Sequence, residues 1–435
     1  MASRSFDALI VPVSGAEAAD AERFGPKAAN LAKLGRAGLP IPAGFCIDAE
    51  AYRLQVAAAG LEDQVHRVAS PEPREARCAA LAMKLGLLDG PIVPELLEPL
   101  LEARQALAAP SGAALVVRSS ALVEDRFGTS FAGQFESYLG LETEEEFVTA
   151  VRSCWAALWA TRVLRYMATH EASPAHFAST AMAVLVQPLI AARVSGGGLS
   201  CSADGDMVLT ATKGLGAALA QGEVVPDRLV LSRDGIVRDV TAGRVSHLAG
   251  CVHGAQNLRR KSVAEPCLAP AQALELGALL RRAEEVMAMP VEIEWALDDT
   301  GFKLLQARPL HQEQTSEPES VSDEIWLRHP RLNGHPAGVG RAAGRACVVS
   351  CECELSRVAP GDVLVTTVAG PSLAQVLPRV AGVVAELGGS TSHLASLARE
   401  RGIPAVLGVL EATQRIPDGA QVAVDGVAGV VRWKR

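Results

Sequence analysis

The nine cysteines of this 435-residue chain are scattered, and Cys351-Glu352-Cys353 is their only close pair. That spacing does not suit a tetrahedral zinc site. Free thiols in a reducing cytoplasm are expected rather than a metal or redox centre. No apolar run approaches a membrane span: Ala181–Ile190 is interrupted by Gln187-Pro188 and is expected to be a buried strand. The opening Met-Ala-Ser-Arg-Ser-Phe-Asp lacks a signal-peptide core. Positive charge is in deficit, with a formal net charge of −8, which gives no footing for nucleic acid or an anionic membrane. Internal repeats are absent. What the chain has is apolar material: 49% of its residues are hydrophobic, enough at this length for more than one domain with a large core.

The segment Gly388-Gly389-Ser390-Thr391-Ser392-His393-Leu394-Ala395 carries the most information. Before it runs a short apolar stretch, 381–387, of buried-strand length. After it comes a helical pattern with hydroxyl residues at its start, Gly402 near its end and Pro404 beyond. His393 is thus expected at a strand-to-helix junction, where free N–H groups and the helix dipole favour an anion. A neutral imidazole there can accept a phosphoryl group as nucleophile.

Two further constellations lie upstream. Gly25-Pro26-Lys27 opens a helix predicted over 26–37, stopped by Gly38 and Pro40, and places Lys27 within reach of phosphate oxygens or of solvent. Val116-Val117-Arg118-Ser119-Ser120 ends an apolar strand with a guanidinium suited to bidentate phosphate contact or to a structural ion pair. The loop after it contains Ser130-Phe131-Ala132-Gly133-Gln134, where Gly133 permits close backbone approach. Farther on, Glu292 and Glu294 alternate in a predicted strand and share one face, as do Gln306 and Arg308 in the next strand of a predicted hairpin through 298–301. Two carboxylates on one face repel unless a cation lies between them, so this pattern suits a Mg²⁺-nucleotide site, or else a solvated edge.

Other elements follow from pattern. Thr143 and Glu146 form a capping box for one long helix bearing Phe147, Val151, Trp155, Leu158, Val163 and Met167 as core. Pro270 opens a helix reaching Met287. Short strands are predicted at 346–350, 362–366, 380–386, 421–424 and 427–433, and the polar stretch 310–323 reads as a linker.

In these motifs the chain resembles the phosphoenolpyruvate-utilising enzymes: phosphoenolpyruvate synthase, pyruvate phosphate dikinase and rifampin phosphotransferase. Gly388-Gly389…Thr391-Ser392-His393, then Ala398-Arg399-Glu400-Arg401-Gly402-Ile403-Pro404-Ala405-Val406, match the phosphohistidine domain, and the upstream motifs match the nucleotide-binding domain in the same order. The resemblance implies an α+β and α/β multidomain fold: an ATP-grasp domain over 1–312, a polar linker over 313–330 and a swivelling β/β/α phosphohistidine domain over 331–435. It implies ATP and Mg²⁺ as cofactors and His393 as the phosphorylated residue, supported by Thr391 and Ser392. Lys27, Arg118, Gly133, Ser137, Gln187, Glu292, Gln306 and Arg308 fall on ATP-binding positions, and Glu294 with Gln306 on metal ligands. The implied reaction is attack at the β-phosphorus of ATP, releasing AMP and phosphate, then transfer to an acceptor, by default pyruvate. A phosphoryl relay to a partner protein and an antibiotic phosphotransferase are the alternatives. Two departures stand out. In Ser195-Gly196-Gly197-Gly198-Leu199-Ser200-Cys201-Ser202 the later part of a family motif is replaced, and Ala217 replaces a family glutamate. The pyruvate-binding barrel of the synthases is not found after His393, so the acceptor is expected either to be held by a separate subunit or to dock directly on the small domain.

Overall fold

The structure, a computed structural model, describes residues 6–70, 72–110, 112–124, 131, 133–169, 180–244, 265–310, 326, 328–367 and 369–434. Most of the expected linker 313–330 lies outside them. The chain forms two compact units, Met1–Ile190 with Lys303–Arg308, and Ala191–Phe302 with Pro309–Arg435.

The first unit is built on strands β1 (Ile10–Pro12), β2 (Phe45–Ile47), β3 (Leu115–Ala121), β4 (Ser137–Leu141) and β5 (Met182–Pro188), in the order β1-β2-β5-β3-β4 with every pair antiparallel. Its helices are α1 (Ala21–Arg36), α2 (Ala49–Ala58), α3 (Glu62–Val68), α4 (Pro73–Asp89), α5 (Pro94–Ala108), α6 (Glu144–Ala157) and α7 (Thr161–Thr169). The core joins Phe45, Ile47, Met83, Leu87, Leu96, Phe147, Trp155 and Val184, all buried. The predicted strand at 181–190 is β5, buried at every position up to Pro188.

Two local features differ from or refine the sequence pattern. The capping box at Thr143 and Glu146 is present, but the single long helix is not. Tight turns from Trp159 N–H to the Ala156 carbonyl and from Ala160 N–H to the Ala157 carbonyl (both 3.1 Å) close α6, and α7 begins anew. This turn buries Trp159, whose ring N–H donates to the Tyr52 hydroxyl at 2.9 Å. Helical periodicity does not report such a break, because both halves keep an apolar face. In α1 the helix proper starts after Gly25, which is non-helical at φ 70, ψ 159. A Cβ there would stand 2.4 Å from the Ser120 carbonyl oxygen. Gly25→Ala is therefore expected to destabilise the first unit by on the order of 1–3 kcal/mol from backbone strain, with the clash in addition. Chemical denaturation of wild type and variant checks it; equal midpoints would count against the strain.

The second unit holds two sheets. The first has β6 (Val194–Leu199), β7 (Met207–Lys213), β8 (Asp227–Leu231), β9 (Val237–Thr241) and β10 (Val291–Asp298), ordered β10-β6-β7-β8-β9 and antiparallel. The short α8 (Ala217–Ala220) follows β7, and α9 (Pro270–Met287) has the predicted bounds. α9 lies on one face, with Gly277 against Leu231 and Leu280 against Gly198. A turn in which Asp298 accepts from Thr300 N–H (2.7 Å) leads from β10 to β11 (Gly301–Pro309), whose residues 303–308 count with the first unit.

The second sheet contains β12 (Arg331–Asn333), β13 (His335–Pro336), β14 (Arg341–Val349), β15 (Val363–Thr366), β16 (Gly382–Ala385), β17 (Ala405–Leu407), β18 (Gln421–Asp425) and β19 (Val430–Lys434), with α10 (His393–Glu400) and α11 (Ala412–Arg415). The order is β12-β19-β18-β14-β15-β16-β17-β13. Strands β14, β15, β16 and β17 run parallel, which puts the histidine segment on the crossover from β16 to β17. Val363, Val365, Val384 and Val406 make the near-continuous apolar runs that parallel strands require.

Candidate functional site

In the first unit, the cationic residues converge on β3. The Gly25 kink lets α1 start against that strand, and the Ser120 hydroxyl accepts from Ala28 N–H at 3.1 Å, satisfying one of the free donors of the helix start. Lys27, in the first turn after the kink, donates through Nζ to the Ser119 carbonyl at 2.6 Å and lies 3.4 Å from Glu124. Burial pushes the Glu124 carboxyl up, against the opposing pull of Lys27 and Arg118. Arg118 donates through Nη2 to the Gln306 side-chain oxygen at 2.7 Å and through Nη1 to the Leu305 carbonyl. Segment 303–308 is held further by Leu304 N–H to the Pro40 carbonyl (2.8 Å) and the Asn30 amide to the Ala307 carbonyl (3.2 Å). Arg308 is buried. Thus Lys27, Arg118 and Gln306 are gathered around one strand. Ser137 is paired with Arg118 across the β3–β4 ladder, and Gly133 adopts φ 68 in the turn before it. Gln187 is buried, and its amide donates to the Pro42 carbonyl at 3.3 Å.

In the second unit, His393 is the first residue of α10, half-buried, with Ser392 as N-cap. The Ser392 hydroxyl accepts from Ala395 N–H at 3.4 Å, and the Ser390 hydroxyl donates to the Pro336 carbonyl at 2.7 Å. The loop rests on the antiparallel sheet of the same unit. Thr391 and Thr210 share a hydrogen bond between their hydroxyls at 2.5 Å. In register, Thr210 stands opposite Gly197 and Gly197 opposite Glu294. Cross-strand partners share a face, so the predicted common face of Glu292 and Glu294 is the one that meets the histidine loop. Glu292 accepts from the Ser396 hydroxyl (3.1 Å) and pairs with Arg399 (3.0 Å).

The triple glycine also finds a structural reason. Gly196 lies under the Trp295 ring, Gly198 against Ile293 and Leu280, and Gly197 against Thr391. Of the residues engaging the loop, Arg399 lies inside the quoted motif and could have been singled out as a cation on the histidine helix. Nothing in sequence spacing points to Thr210, 181 residues from Thr391.

A divalent cation carried by ATP needs few protein donors, since phosphates and water complete its octahedron. Among the described residues no group of three or more His, Cys, Asp or Glu forms a metal cage. Glu294 lies in the second unit, and Gln306, whose side-chain oxygen accepts from Arg118, in the first. Among the described residues the cysteines form no disulfide. No helix among the described residues is long and apolar enough to cross a membrane.

His335 was not anticipated. It is buried beside Gly389 and Gly408, its Nδ1 meets no hydrogen-bond partner, and burial, then the Arg228 charge, lowers its pKa to about 4. The unfolded chain therefore binds more protons between about pH 4 and pH 6.5, and stability is complete above that window and lost as pH falls through it. The loss amounts to about 3 kcal/mol at most. Melting temperatures measured across this window are expected to fall more steeply for wild type than for His335→Phe; parallel curves would remove the assignment.

Fold and site together define a mixed helix-and-sheet protein of several modules, with cations gathered on one antiparallel sheet and a histidine at a helix start docked on another. Residues 21–328 match the model of the pyruvate phosphate dikinase AMP/ATP-binding domain, and residues 358–429 that of the mobile domain of PEP-utilising enzymes. The chain belongs to the pyruvate phosphate dikinase and phosphoenolpyruvate synthase family. It is similar to a phosphoenolpyruvate synthase of Aeropyrum pernix (32% identical over 461 residues, 94% of this chain and 56% of that protein). It is also similar to those of Pyrococcus furiosus (29%, 95% and 57%) and Escherichia coli (29%, 94% and 55%). The chain spans a little over half the length of these relatives.

Proposed function

We propose that this chain carries out the nucleotide half of a dikinase reaction, phosphorylating His393 from ATP and delivering the phosphoryl group to pyruvate. One observation carries this reading: His393 opens a helix whose preceding loop is seated on the sheet face bearing Glu292 and Glu294. Lys27, Arg118 and Arg308 hold the triphosphate, the loop of Gly133 and Ser137 approaches it, and Gln187 contributes to the nucleotide pocket. Glu294 and Gln306 are the positions to which the resemblance assigns the metal, and a nucleotide-borne Mg²⁺ would neutralise charge on the phosphates. The neutral imidazole of His393 attacks the β-phosphorus, its bond to that phosphorus forming as the α–β bridge oxygen leaves with AMP. The terminal phosphate is then lost to water or to phosphate. The phosphoryl group left on His393 passes to the enolate oxygen of pyruvate, and the imidazole returns to its starting state. The relatives' names support pyruvate, and the acceptor site is assigned to the part of their length outside the matched region, on the same or a separate polypeptide. In this reading residues 1–312 act as an ATP-grasp domain, 331–435 as the swivelling carrier, and 313–330 as the tether between them, in the cytoplasm.

The test uses ATP labelled at the β-phosphorus. Label is expected on the protein in acid-labile form, one per chain at most, with AMP released in equal amount. Protein left unlabelled, or labelled equally from the α-position, would refute the reading.

A further inference from the structure

We propose that Arg399, Ser396 and Thr391 on the histidine segment, with Glu292, Thr210 and Gly197 on the facing sheet, form a docking latch that positions His393. Glu292, which the resemblance set among the ATP-binding positions, is instead the latch's receptor, its carboxylate engaged by Ser396 and Arg399. The inference rests on His393 being the phosphorylated residue. Arg399 and Glu292 are both almost wholly buried and pair at 3.0 Å, and Ser396 donates to both oxygens of the same carboxylate at 3.1 Å. Ser396 and Arg399 are three apart and share a face of α10. Arg399 also donates to the carbonyls of Ala337 (3.3 Å) and Ser390 (2.5 Å), so the guanidinium that grips Glu292 also braces the loop before His393. Two residues ahead of His393, Thr391 bonds Thr210. It occupies the space of a missing side chain: a Cβ on Gly197 would lie 2.5 Å from the Thr391 Cβ. A third contact fixes the start of the loop, where Gly388 N–H donates to the Val224 carbonyl at 3.0 Å and Gly389 abuts Pro226.

The physics suits a contact that is made and released. A buried ion pair roughly breaks even against the hydration of its separated partners, so it specifies registry without adding much stability. Its geometry is exacting, because a hydrogen-bonded charge left unpaired in the interior is costly. These are positioning residues, distinguished from nucleotide ligands by which measured quantity they move.

Two experiments test the latch. In the Thr210→Cys/Thr391→Cys variant, mild oxidation is expected to join positions 210 and 391, identified by peptide mass, whether or not His393 is ever phosphorylated. Adding Glu292→Gln or Gly197→Ala is expected to slow this cross-link. In the chain without added cysteines, Glu292→Gln is expected to slow single-turnover phosphorylation of His393 at saturating ATP by roughly 10–100-fold, the loss typical of a hydrogen bond to a charged group, and Gly197→Ala is expected to slow it by displacing Thr391, both with the Kd for ATP unchanged. Failure of the cross-link, or a Glu292→Gln effect confined to the Kd for ATP, would overturn the latch. A cross-link sensitive to both substitutions, in a protein that never takes label from ATP, would sustain the latch and sink the phosphotransfer reading.

Discussion

Replacing His393 by alanine is expected to abolish ATP-dependent labelling of the chain. A covalent carrier has no substitute in its neighbourhood: Ser390, Thr391 and Ser392 are hydroxyls, which are weak nucleophiles without an adjacent base. The loss should exceed about a thousandfold, beyond what removal of one stabilising donor causes. The fold should survive, because His393 is only half-buried and the helix keeps its Ser392 cap. Intact-mass measurement after mixing with ATP reads the result. Modification of His393→Ala at the wild-type level would remove His393 from the chemistry.

Arg118→Met is expected to have the next largest effect, lowering the labelling rate by roughly 10²–10³-fold. Arg118 lies on the central part of β3, where it reaches Gln306 and the Leu305 carbonyl. Methionine keeps much of the stem's volume but removes the planar fork that can span two oxygens. It also frees Gln306, which loses the group that orients its amide. Arg118→Lys should recover only part of the rate, because an ammonium is a point charge without the bidentate geometry. Single-turnover rates at saturating ATP for the two variants check this. Full recovery with lysine would show that charge alone matters at this position.

Much of the architecture could be read from local pattern. The helix at Pro270–Met287, the capping box at Thr143, the α10 start at Ser392 and the short strands at 362–366 and 421–424 all emerge within a residue or two. These elements are governed by side chains near in sequence, through capping, periodicity and β-branched runs. The break between α6 and α7 did not emerge, because its cause is the burial of Trp159 against Tyr52, 107 residues away.

The site divides in the same way. Sequence alone determined that His393 opens a helix, that Glu292 and Glu294 share a face and that Lys27 stands at a helix start, since each follows from the period of its own element. Only the tertiary structure decided that Arg118 meets Gln306, that Arg399 closes on Glu292, and that Gly197 is small because Thr391 needs its place. Those pairings join residues more than a hundred positions apart. They are selected by which surfaces exclude water together, and no local spacing encodes that choice.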